Sequence, residues 1–511
     1  MALFSATTTT ITSNNKPTST TSSSSSLKTL LLLSSTLCIL FFFVSLSSTT
    51  SSIDTTATKS TISAAAAATT ATSPDHYNHH NHNLSISHIA FGIASTAKSL
   101  PRRLPLLRLW WRPHLRGCVF LDSTTTSSLP TFPPTCISSD TSSFRYTYRG
   151  GLRSAIRVAR VLLDTLSLSL STNDTNDNDN YNSNSDHIRW YVFGDDDTVF
   201  VTDNLVRTLS KYDHTKWYYV GTNSEAHEQN EWFWFEMGFG GGGFAISAPL
   251  ARALGRVLDS CLVRYSHLYG SDGRIASCLA ELGVGLTHEP GFHQVDVRGN
   301  IFGLLAAHPL SPLVSLHHLD YLEPIFPNMT TTQAVTHLFK AVEVDPARIL
   351  QQTVCYDRWF SWTISISWGY AVQLFERNVL LPDLLPVQQT FRPWNKRPNP
   401  HSYMYMFNTK KLPNDPCVRP TVFFLENVFS DSNGAIESNY KRNISEGCLA
   451  KKGTSKKIER VRVRSRKMEL DSRQLRAPRR HCCDVLPSSV GSLLDVSIRE
   501  CGEEELIYMQ P

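Results

Sequence analysis

The chain has 511 residues and a net charge of +5, and 10% of its residues are aromatic. Its length has room for about three domains, but residues 1–83 are dominated by Ser, Thr, Ala, Asn and His and cannot bury a hydrophobic core. The rest holds enough apolar material for one large α/β domain with attachments. Its 11 cysteines include no CxxC pair, which argues against a structural zinc site.

The first predicted element is an uncharged apolar segment at 29–46, preceded by a tail at 1–28. Its length is at the lower limit for crossing a bilayer. The long tail and the weak small-residue cleavage site after the segment favour an uncleaved signal-anchor, followed by a flexible stem at 47–87. A cleaved signal peptide and an organellar transit peptide are the alternatives. The absence of any Arg before Arg102 counts against the transit peptide.

Two further features fit a domain that lies outside the cytosol. Asn-X-Ser/Thr sequons begin at Asn83, Asn173, Asn328 and Asn443, which makes these residues candidate glycosylation sites. Ten cysteines lie outside the apolar segment, and this number fits an oxidising compartment in which some of them pair. The sequence leaves their connectivity open.

From residue 88 to residue 330, strand patterns alternate with helical patterns, which predicts an α/β domain with a mainly parallel sheet and helices on both faces. The predicted strands lie at 88–94, at 118–121, before Asp195, at 217–220 and before Ser247, and the predicted helices lie at 151–168, 205–209, 250–265 and 274–282. An Asn- and Asp-rich run at 173–186 is predicted to be a solvated loop.

Three consecutive carboxylates, Asp195, Asp196 and Asp197, stand between two apolar runs, so a buried strand ends in concentrated negative charge. Like charges this close repel each other, and a shared cation relieves the repulsion. Oxygen ligands suit a hard ion such as Mg²⁺ or Mn²⁺, which usually bridges to phosphates. The alternative is an acidic turn whose residues 202–204 cap the next helix. The flanking hydrophobic strand favours the metal site.

Three more motifs follow the aspartates in order: a Gly-rich segment at 239–247, a helix start around Asp272, and a loop ending at His293. In this order they resemble the plant branch of the Fringe-like β-1,3-glycosyltransferases, and the resemblance runs from about His88 to the C-terminus. It implies a GT-A fold and a single-pass type II membrane protein of the Golgi with a lumenal catalytic domain. It also implies a UDP-sugar donor and Mn²⁺ (or Mg²⁺) as cofactor.

The resemblance assigns individual roles. It implies metal ligation by Asp197 and His293, donor binding by Asp195, Asp196 and Arg108, acceptor binding by Gly241, Gly242 and Gly243, and catalysis by Asp272. Trp232, in the aromatic run just before the glycines, is a candidate to stack on the acceptor sugar, and the alternative for this run is a place in the core. For Arg108 the alternative is a surface arginine in an Arg-rich segment. The glycine run lacks the Lys-Ser/Thr ending of a P-loop and leads into a strand, so close backbone approach to an acceptor sugar is the better interpretation.

Transfer with inversion needs one general base to deprotonate the acceptor hydroxyl as it attacks the anomeric carbon. Asp272 is the candidate, and its alternative role is a simple helix N-cap. Many Fringe-like sequences carry two adjacent acids at this point, whereas here Asp272 is followed by Gly273. If the base belongs to the second position, this chain lacks it.

Residues 331–511 change character and are predicted to form a smaller β-rich region, because 359–368 alternates as strands do. Within it, 451–480 carries 13 Lys and Arg against three acidic residues. A nucleic-acid interpretation of this basic segment conflicts with a lumenal location, and 461–464 alternates as a half-exposed strand would. We therefore expect no nucleic-acid partner.

Two functions remain open from the sequence. The first is a metal-dependent inverting transferase that moves a hexose from a UDP-sugar to a hydroxyl of a glycan or glycoside. The second is a catalytically impaired relative that binds glycan or nucleotide without turnover, and Gly273 keeps this alternative open. A Mg²⁺-dependent phosphatase or nuclease is a weak third, because no nucleophile motif accompanies the aspartates.

Overall fold

A computed structural model describes residues 84–124, 132–171, 188–444 and 457–507. The predicted anchor at 29–46, nearly all of the stem, the Asn- and Asp-rich run and the sequons at Asn83 and Asn173 lie outside the described residues. Within the described ranges, no helix is both long enough and apolar enough to span a membrane.

The first part of the described chain alternates strands and helices up to residue 344. Its strands are β1 (Ile89–Ala94), β2 (Arg116–Leu121), β3 (Thr135–Ile137), β4 (Trp190–Asp195), β5 (Val199–Phe200), β6 (Tyr219–Gly221), β7 (Phe244–Ser247), β8 (Leu286–His288), β9 (Val297–Gly299) and β10 (Ser315–Leu316). Its helices are α1 (Leu100–Trp110), α2 (Ser154–Ser171), α3 (Thr202–Leu209), α4 (His227–Trp232), α5 (Ala248–Arg264), α6 (Asp272–Glu281), α7 (Phe302–Ala306) and α8 (Thr331–Val344).

Seven of these strands form one sheet in the order β3-β2-β1-β4-β7-β6-β8. Six strands run in the same direction and β7 runs opposite to them, so the sheet is mixed rather than purely parallel. Strands β1 and β4 lie side by side near the centre, and β4 ends at Asp195. The predicted α/β arrangement is therefore confirmed, with one antiparallel strand inside it.

Helices cover both faces of this sheet, as the alternation predicted. Along β1, Ile89, Phe91 and Ile93 pack with α1 and α3 in one hydrophobic cluster, whereas Ala90 and Ala94 face α2, α5 and α6 in another. Successive side chains of a strand point to opposite faces, so a fully apolar strand such as β1 needs a helical layer on each side. The carboxyl end of β4 is thereby enclosed.

The second part of the chain is rich in β-structure, as predicted. Its strands are β11 (Gln352–Asp357), β12 (Trp362–Ser367), β13 (Ala371–Phe375), β14 (Val387–Gln389), β15 (Phe391–Pro393), β16 (Thr409–Lys411), β17 (Thr421–Ser430), β18 (Ala435–Arg442), β19 (Arg460–Arg466), β20 (Cys482–Leu486) and β21 (Leu493–Arg499). Two short helices, α9 (Leu381–Leu384) and α10 (Ser472–Arg476), interrupt them.

Eight of these strands form a second sheet in the order β11-β12-β13-β17-β18-β19-β21-β20. Its two edge strands are joined by the disulfide Cys355–Cys483 and by a hydrogen bond of 2.7 Å from Arg480 Nη1 to the carbonyl of Gln352. The sheet therefore curves until its edges meet, which leaves neither edge strand open to foreign pairing. One hydrophobic cluster joins this sheet to the first through residues of α8.

All nine cysteines within the described residues are in disulfides. The pairs are Cys118–Cys136, Cys261–Cys278, Cys355–Cys483 and Cys482–Cys501, and Cys417 is also disulfide-bonded. This extent of pairing fits the oxidising compartment that the cysteine count suggested.

Residues 460–466 of the basic segment form strand β19, and the alternation at 461–464 was predicted from the sequence. Val461 and Val463 are buried, while the arginines that alternate with the buried residues of the strand point outward. Three of these arginines face acids of neighbouring strands, in the pairs Arg460–Glu426, Arg462–Asp495 and Arg464–Glu437. Cross-strand pairing therefore offsets part of the positive charge of this segment.

Replacing Cys355 and Cys483 together by alanine should lower the free energy of unfolding by about 2–4 kcal/mol, because the bond closes a long loop of the unfolded chain. Its partners are 128 residues apart, against 18 for the matched control pair Cys118 and Cys136. Denaturant unfolding of both double variants measures the difference. A Cys355→Ala/Cys483→Ala protein as stable as the wild type would contradict a bonded closure of the sheet.

Candidate metal and base site

The three aspartates lie in a fully buried turn between β4 and β5. Thr198 fixes the turn, since its hydroxyl accepts from the backbone N–H of Asp195 at 2.8 Å and donates to the carbonyl of Gly241 at 2.7 Å. The indole N–H of Trp110 donates to the carbonyl of Thr198 at 3.1 Å. Residues from three separate segments thus hold one short turn, and none of its carboxylates reaches bulk water.

The middle carboxylate has its own hydroxyl partners. Asp196 accepts hydrogen bonds from the hydroxyls of Ser95 at 2.8 Å and Ser99 at 2.6 Å, which lie at the end of β1 and the start of α1. Burial raises the pKa of Asp196, and the charge of Asp197 adds to the increase. Asp196 is therefore anchored by the residues between β1 and α1, whereas Asp195 and Asp197 lie against His317.

A buried arginine from α1 neutralises part of this charge. The Nη2 atom of Arg103 lies 2.9 Å from Asp197 Oδ2 and its Nε lies 3.4 Å from Asp196 Oδ1, and the same guanidinium pairs with Asp320. The predicted donor residue Arg108 is on the exposed side of the helix, where its Nε donates to the carbonyl of Phe132 at 2.9 Å. Arg103 therefore reaches the aspartates and Arg108 does not. Residues five positions apart in an α-helix project in nearly opposite directions, so only one of these two arginines can face the aspartate turn.

Asp195 and Asp197 share a histidine that the sequence analysis missed. The Nε2 atom of His317 is 3.1 Å from Asp197 Oδ1 and 3.7 Å from Asp195 Oδ2, and one ligand atom from each of the three residues lies within 4.8 Å of the others. All three side chains are fully buried. Burial raises the pKa of Asp197, but the ion pairs with His317 and Arg103 outweigh this and lower it below its usual value.

The chemistry of this set fits a divalent cation. His317 Nδ1 lies 3.1 Å from the carbonyl of Gln294, which can only accept, so Nδ1 carries a proton and Nε2 faces the carboxylates. Metal-ligating histidines usually donate their second N–H in this way. Asp197 Oδ2 is paired with Arg103, while Asp197 Oδ1 and His317 Nε2 are buried 3.1 Å apart with no further hydrogen bond among the described residues. A proton on Nε2 or a bound cation would each satisfy these atoms, and they exclude each other.

His293, predicted as the metal-ligating histidine, lies in a different cluster. Its Nδ1 is 3.0 Å from Glu225 Oε1 and its Nε2 is 2.9 Å from His308 Nε2. His317 takes the expected place because β10 pairs antiparallel with β5, which puts the residue after Leu316 beside the aspartate turn. A sequence signal existed, since His317 and His318 directly follow a short apolar run, but strand pairing between β5 and β10 was not foreseen.

The predicted acceptor glycines pack against this histidine. A Cβ on Gly241 would lie 2.1 Å from His317 Cε1, and the backbone N–H of Gly242 donates to Gln294 Oε1 at 2.6 Å. Gly243 has φ +85°, which favours glycine, and a Cβ there would meet the ring of Phe200. The glycine run thus permits close approach of its backbone to the aspartate turn and to His317. Trp232 lies elsewhere, 69% exposed at the end of α4.

Asp272 is a buried carboxyl near the same site. It accepts from the hydroxyl of Ser271 at 2.9 Å and from the backbone N–H of Gly240, and the charge of His317 acts on it. Burial raises the pKa of Asp272 to about 7 against the opposing effect of these hydrogen bonds. Asp272 is the first residue of α6 and Ser271 is the N-cap. These contacts go beyond a simple capping role.

The residue after Asp272 stands in open space. A Cβ on Gly273 would meet no atom within 4 Å, so this helical position has room for a side chain. The missing second acid is therefore a property of the sequence and not a steric requirement of the fold.

One family model matches the middle and much of the C-terminal part of the chain. Residues 229–483 match the model of a family described as "Protein of unknown function, DUF604". The match covers just under half of the chain, from α4 to β20, and includes the glycine run, Asp272 and His317. No curated protein matches the chain significantly.

If Asp195, Asp197 and His317 hold a divalent cation, replacing Gly241 by alanine should weaken Mn²⁺ binding by about 10–100-fold, because it displaces one of the ligands. The added Cβ would lie 2.1 Å from the ring of His317, which is buried and cannot swing aside freely. Gly273→Ala is the matched control because a Cβ there meets nothing within 4 Å. Calorimetric Mn²⁺ titration compares the two. Equal Mn²⁺ affinity in both variants would show that the glycine run does not support metal binding.

Proposed function

We propose that this protein is a metal-dependent inverting hexosyltransferase with a GT-A-type domain, which transfers a hexose from a UDP-sugar to a hydroxyl of a glycan or glycoside in a β-1,3-type linkage. The observation that carries the proposal is the combination at one strand end of a ligand set, Asp195, Asp197 and His317, with the buried carboxyl of Asp272. The order of motifs that resembles Fringe-like transferases supports the same assignment.

In this proposal Asp195, Asp197 and His317 hold Mn²⁺, since a mixed carboxylate and imidazole set suits Mn²⁺ better than Mg²⁺. The cation would supply positive charge to the leaving diphosphate. Arg103 replaces Arg108 as the arginine assigned to the donor phosphates, because its guanidinium already lies against Asp197. Its Nε, Nη2 and Nη1 atoms already pair with Asp196, Asp197 and Asp320, so its role would be to supply positive charge beside the diphosphate.

Asp272 serves as the general base that takes the proton from the acceptor hydroxyl. Its raised pKa keeps a substantial part of the group protonated near neutral pH, and a base is most effective when its pKa is close to the working pH. The protein environment excludes water from this carboxyl, which is 5% exposed. Exclusion of water limits hydrolysis of the donor.

We further propose that the catalytic domain is lumenal in the Golgi, held by the predicted signal-anchor. Support comes from the pairing of all nine cysteines in the described residues and from Asn328, whose exposed side chain is open to glycosylation. The second candidate function, a glycan- or nucleotide-binding protein without turnover, rests on the glycine at position 273.

The metal assignment predicts that Asp197→Asn and His317→Ala each weaken Mn²⁺-dependent UDP binding by at least about tenfold, because each removes one ligand. His293→Ala should have a smaller effect, since His293 pairs with Glu225 and His308 instead. Calorimetry with UDP and Mn²⁺, together with UDP release across a panel of UDP-sugars, measures both. Unchanged UDP affinity in Asp197→Asn and His317→Ala would overturn the proposal.

The base assignment predicts that kcat rises with pH, because only the ionised carboxylate accepts a proton. The apparent pKa of this rise in kcat should be at or below about 7, since a bound cation favours the ionised form of Asp272. Asp272→Asn should lower kcat by about 10²–10⁴-fold and abolish the rise of kcat with pH, while the affinity for UDP is retained. A wild type that is inert until Gly273→Asp is introduced would instead favour the binding protein.

A further inference from the structure

Four planar groups are stacked in a row that ends at the candidate metal site. The guanidinium carbon of Arg298 lies 4.3 Å from the ring centre of Trp394. The rings of Trp394 and His318 are 4.4 Å apart with only 12° between their planes, and the rings of His318 and His317 are 3.8 Å apart. Each group thus limits the movement of the next, from the half-buried Arg298 to the fully buried His317.

Strand pairing between the two parts of the chain places Trp394 in this row. Strand β15 pairs antiparallel with β9 and sets Pro393 opposite Val297, so that Trp394 follows directly. The Nε atom of Arg298 donates to the carbonyl of Trp394 at 2.7 Å. Trp394 is 8% exposed and belongs to the β-rich region, for which the sequence gave no chemistry.

His318 is the residue that Trp394 holds. Its backbone has φ +57°, a conformation that residues other than glycine rarely adopt. Such a conformation persists only where surrounding contacts impose it. Its ring lies between Trp394 and His317, and its Nδ1 is 3.2 Å from Asp296 Oδ1. Because His317 is the preceding residue, the constrained backbone at His318 also restricts the orientation of the His317 side chain.

The ring of His317 is enclosed on two sides. The backbone of Gly241 approaches it so closely that a Cβ would lie 2.1 Å from Cε1, and His318 stacks against it. Loss of the His318 stack would let the ring tilt away from Asp195 and Asp197. Ligand atoms must be held within a few tenths of an ångström for tight metal binding, so a small tilt has a large effect.

We propose that Trp394 is a positioning residue for metal binding: it holds His318 against His317, so that Nε2 of His317 faces the two aspartates. This role rests on the proposed function in that a cation binds Asp195, Asp197 and His317. Trp394 does not contact the ligand atoms itself. The β-rich region therefore completes the metal site and is more than an attachment to the α/β domain.

The test is Mn²⁺ binding by the intact lumenal part of the protein. Trp394→Leu removes the stacking surface and should weaken Mn²⁺ binding by about 10–100-fold, as loss of a group that orients a ligand does. Trp394→Phe keeps an aromatic face and should retain most of the Mn²⁺ affinity of the wild type. Trp359→Leu is the matched control, because Trp359 lies in the same region but is 90% exposed. It should bind Mn²⁺ as the wild type does.

A spectroscopic readout separates positioning from a general loss of stability. Pulsed electron paramagnetic resonance of bound Mn²⁺ detects a directly coordinated histidine nitrogen, and this coupling should be present in the wild type and reduced in Trp394→Leu. If Trp394→Leu does not fold, Arg298→Leu loosens the row from its outer end. The loss of its cation–π contact should weaken Mn²⁺ binding by about 2–10-fold.

The outcomes distinguish the two proposals. A wild type without Mn²⁺ affinity or without nitrogen coupling would overturn the metal assignment itself. A wild type with both, together with a folded Trp394→Leu or Arg298→Leu protein of unchanged affinity and coupling, would overturn the positioning role alone. Weakened binding in Trp359→Leu to the same extent would also contradict it, since a nonspecific effect would then explain the result.

Discussion

The structure depends on keeping three adjacent carboxylates in a turn that water does not reach. Isolated buried charges are costly by several kcal/mol each, so every carboxylate of this turn needs its own compensation. Asp196 obtains it from Ser95 and Ser99, and Asp197 from Arg103 and His317. These partners come from β1, from α1 and from the residue after β10. The electrostatic requirement of one turn therefore fixes the relative positions of several distant segments.

The contact between Asp197 and His317 is the part of this turn where chemistry becomes possible. Asp197 Oδ1 and His317 Nε2 are buried 3.1 Å apart and make no further hydrogen bond among the described residues. The carboxyl of Asp272 lies close enough for the charge of His317 to act on it, yet burial still raises its pKa to about 7. The three candidate ligands and a carboxyl with a raised pKa thus interact with one another, a combination that is frequent at functional sites.

The β-rich region contributes to this site through packing. Pairing of β9 with β15 brings Trp394 against His318, and α8 joins the cores of the two sheets. The closed second sheet, fixed by Cys355–Cys483, gives these contacts a rigid base. Residues far apart in the chain therefore share the task of orienting a single histidine ring.

The sequence by itself determined the local features. Apolar runs predicted β1 and β4, the alternation of strands and helices predicted a layered α/β domain, and the position of the aspartates at a strand end was correct because a buried strand followed by charge has few other solutions. The presence of Asp272 at the start of a helix was also readable. These features depend on residues close together in the chain.

Only the tertiary structure decided which distant residues meet. His317 rather than His293, and Arg103 rather than Arg108, reach the aspartates, because these choices depend on the pairing of β5 with β10 and on which face of α1 is buried. The glycine run was noticed, but its contact with a histidine ring 76 residues later was not. Composition and spacing describe one segment at a time, whereas strand register and helix rotation are fixed by packing between segments.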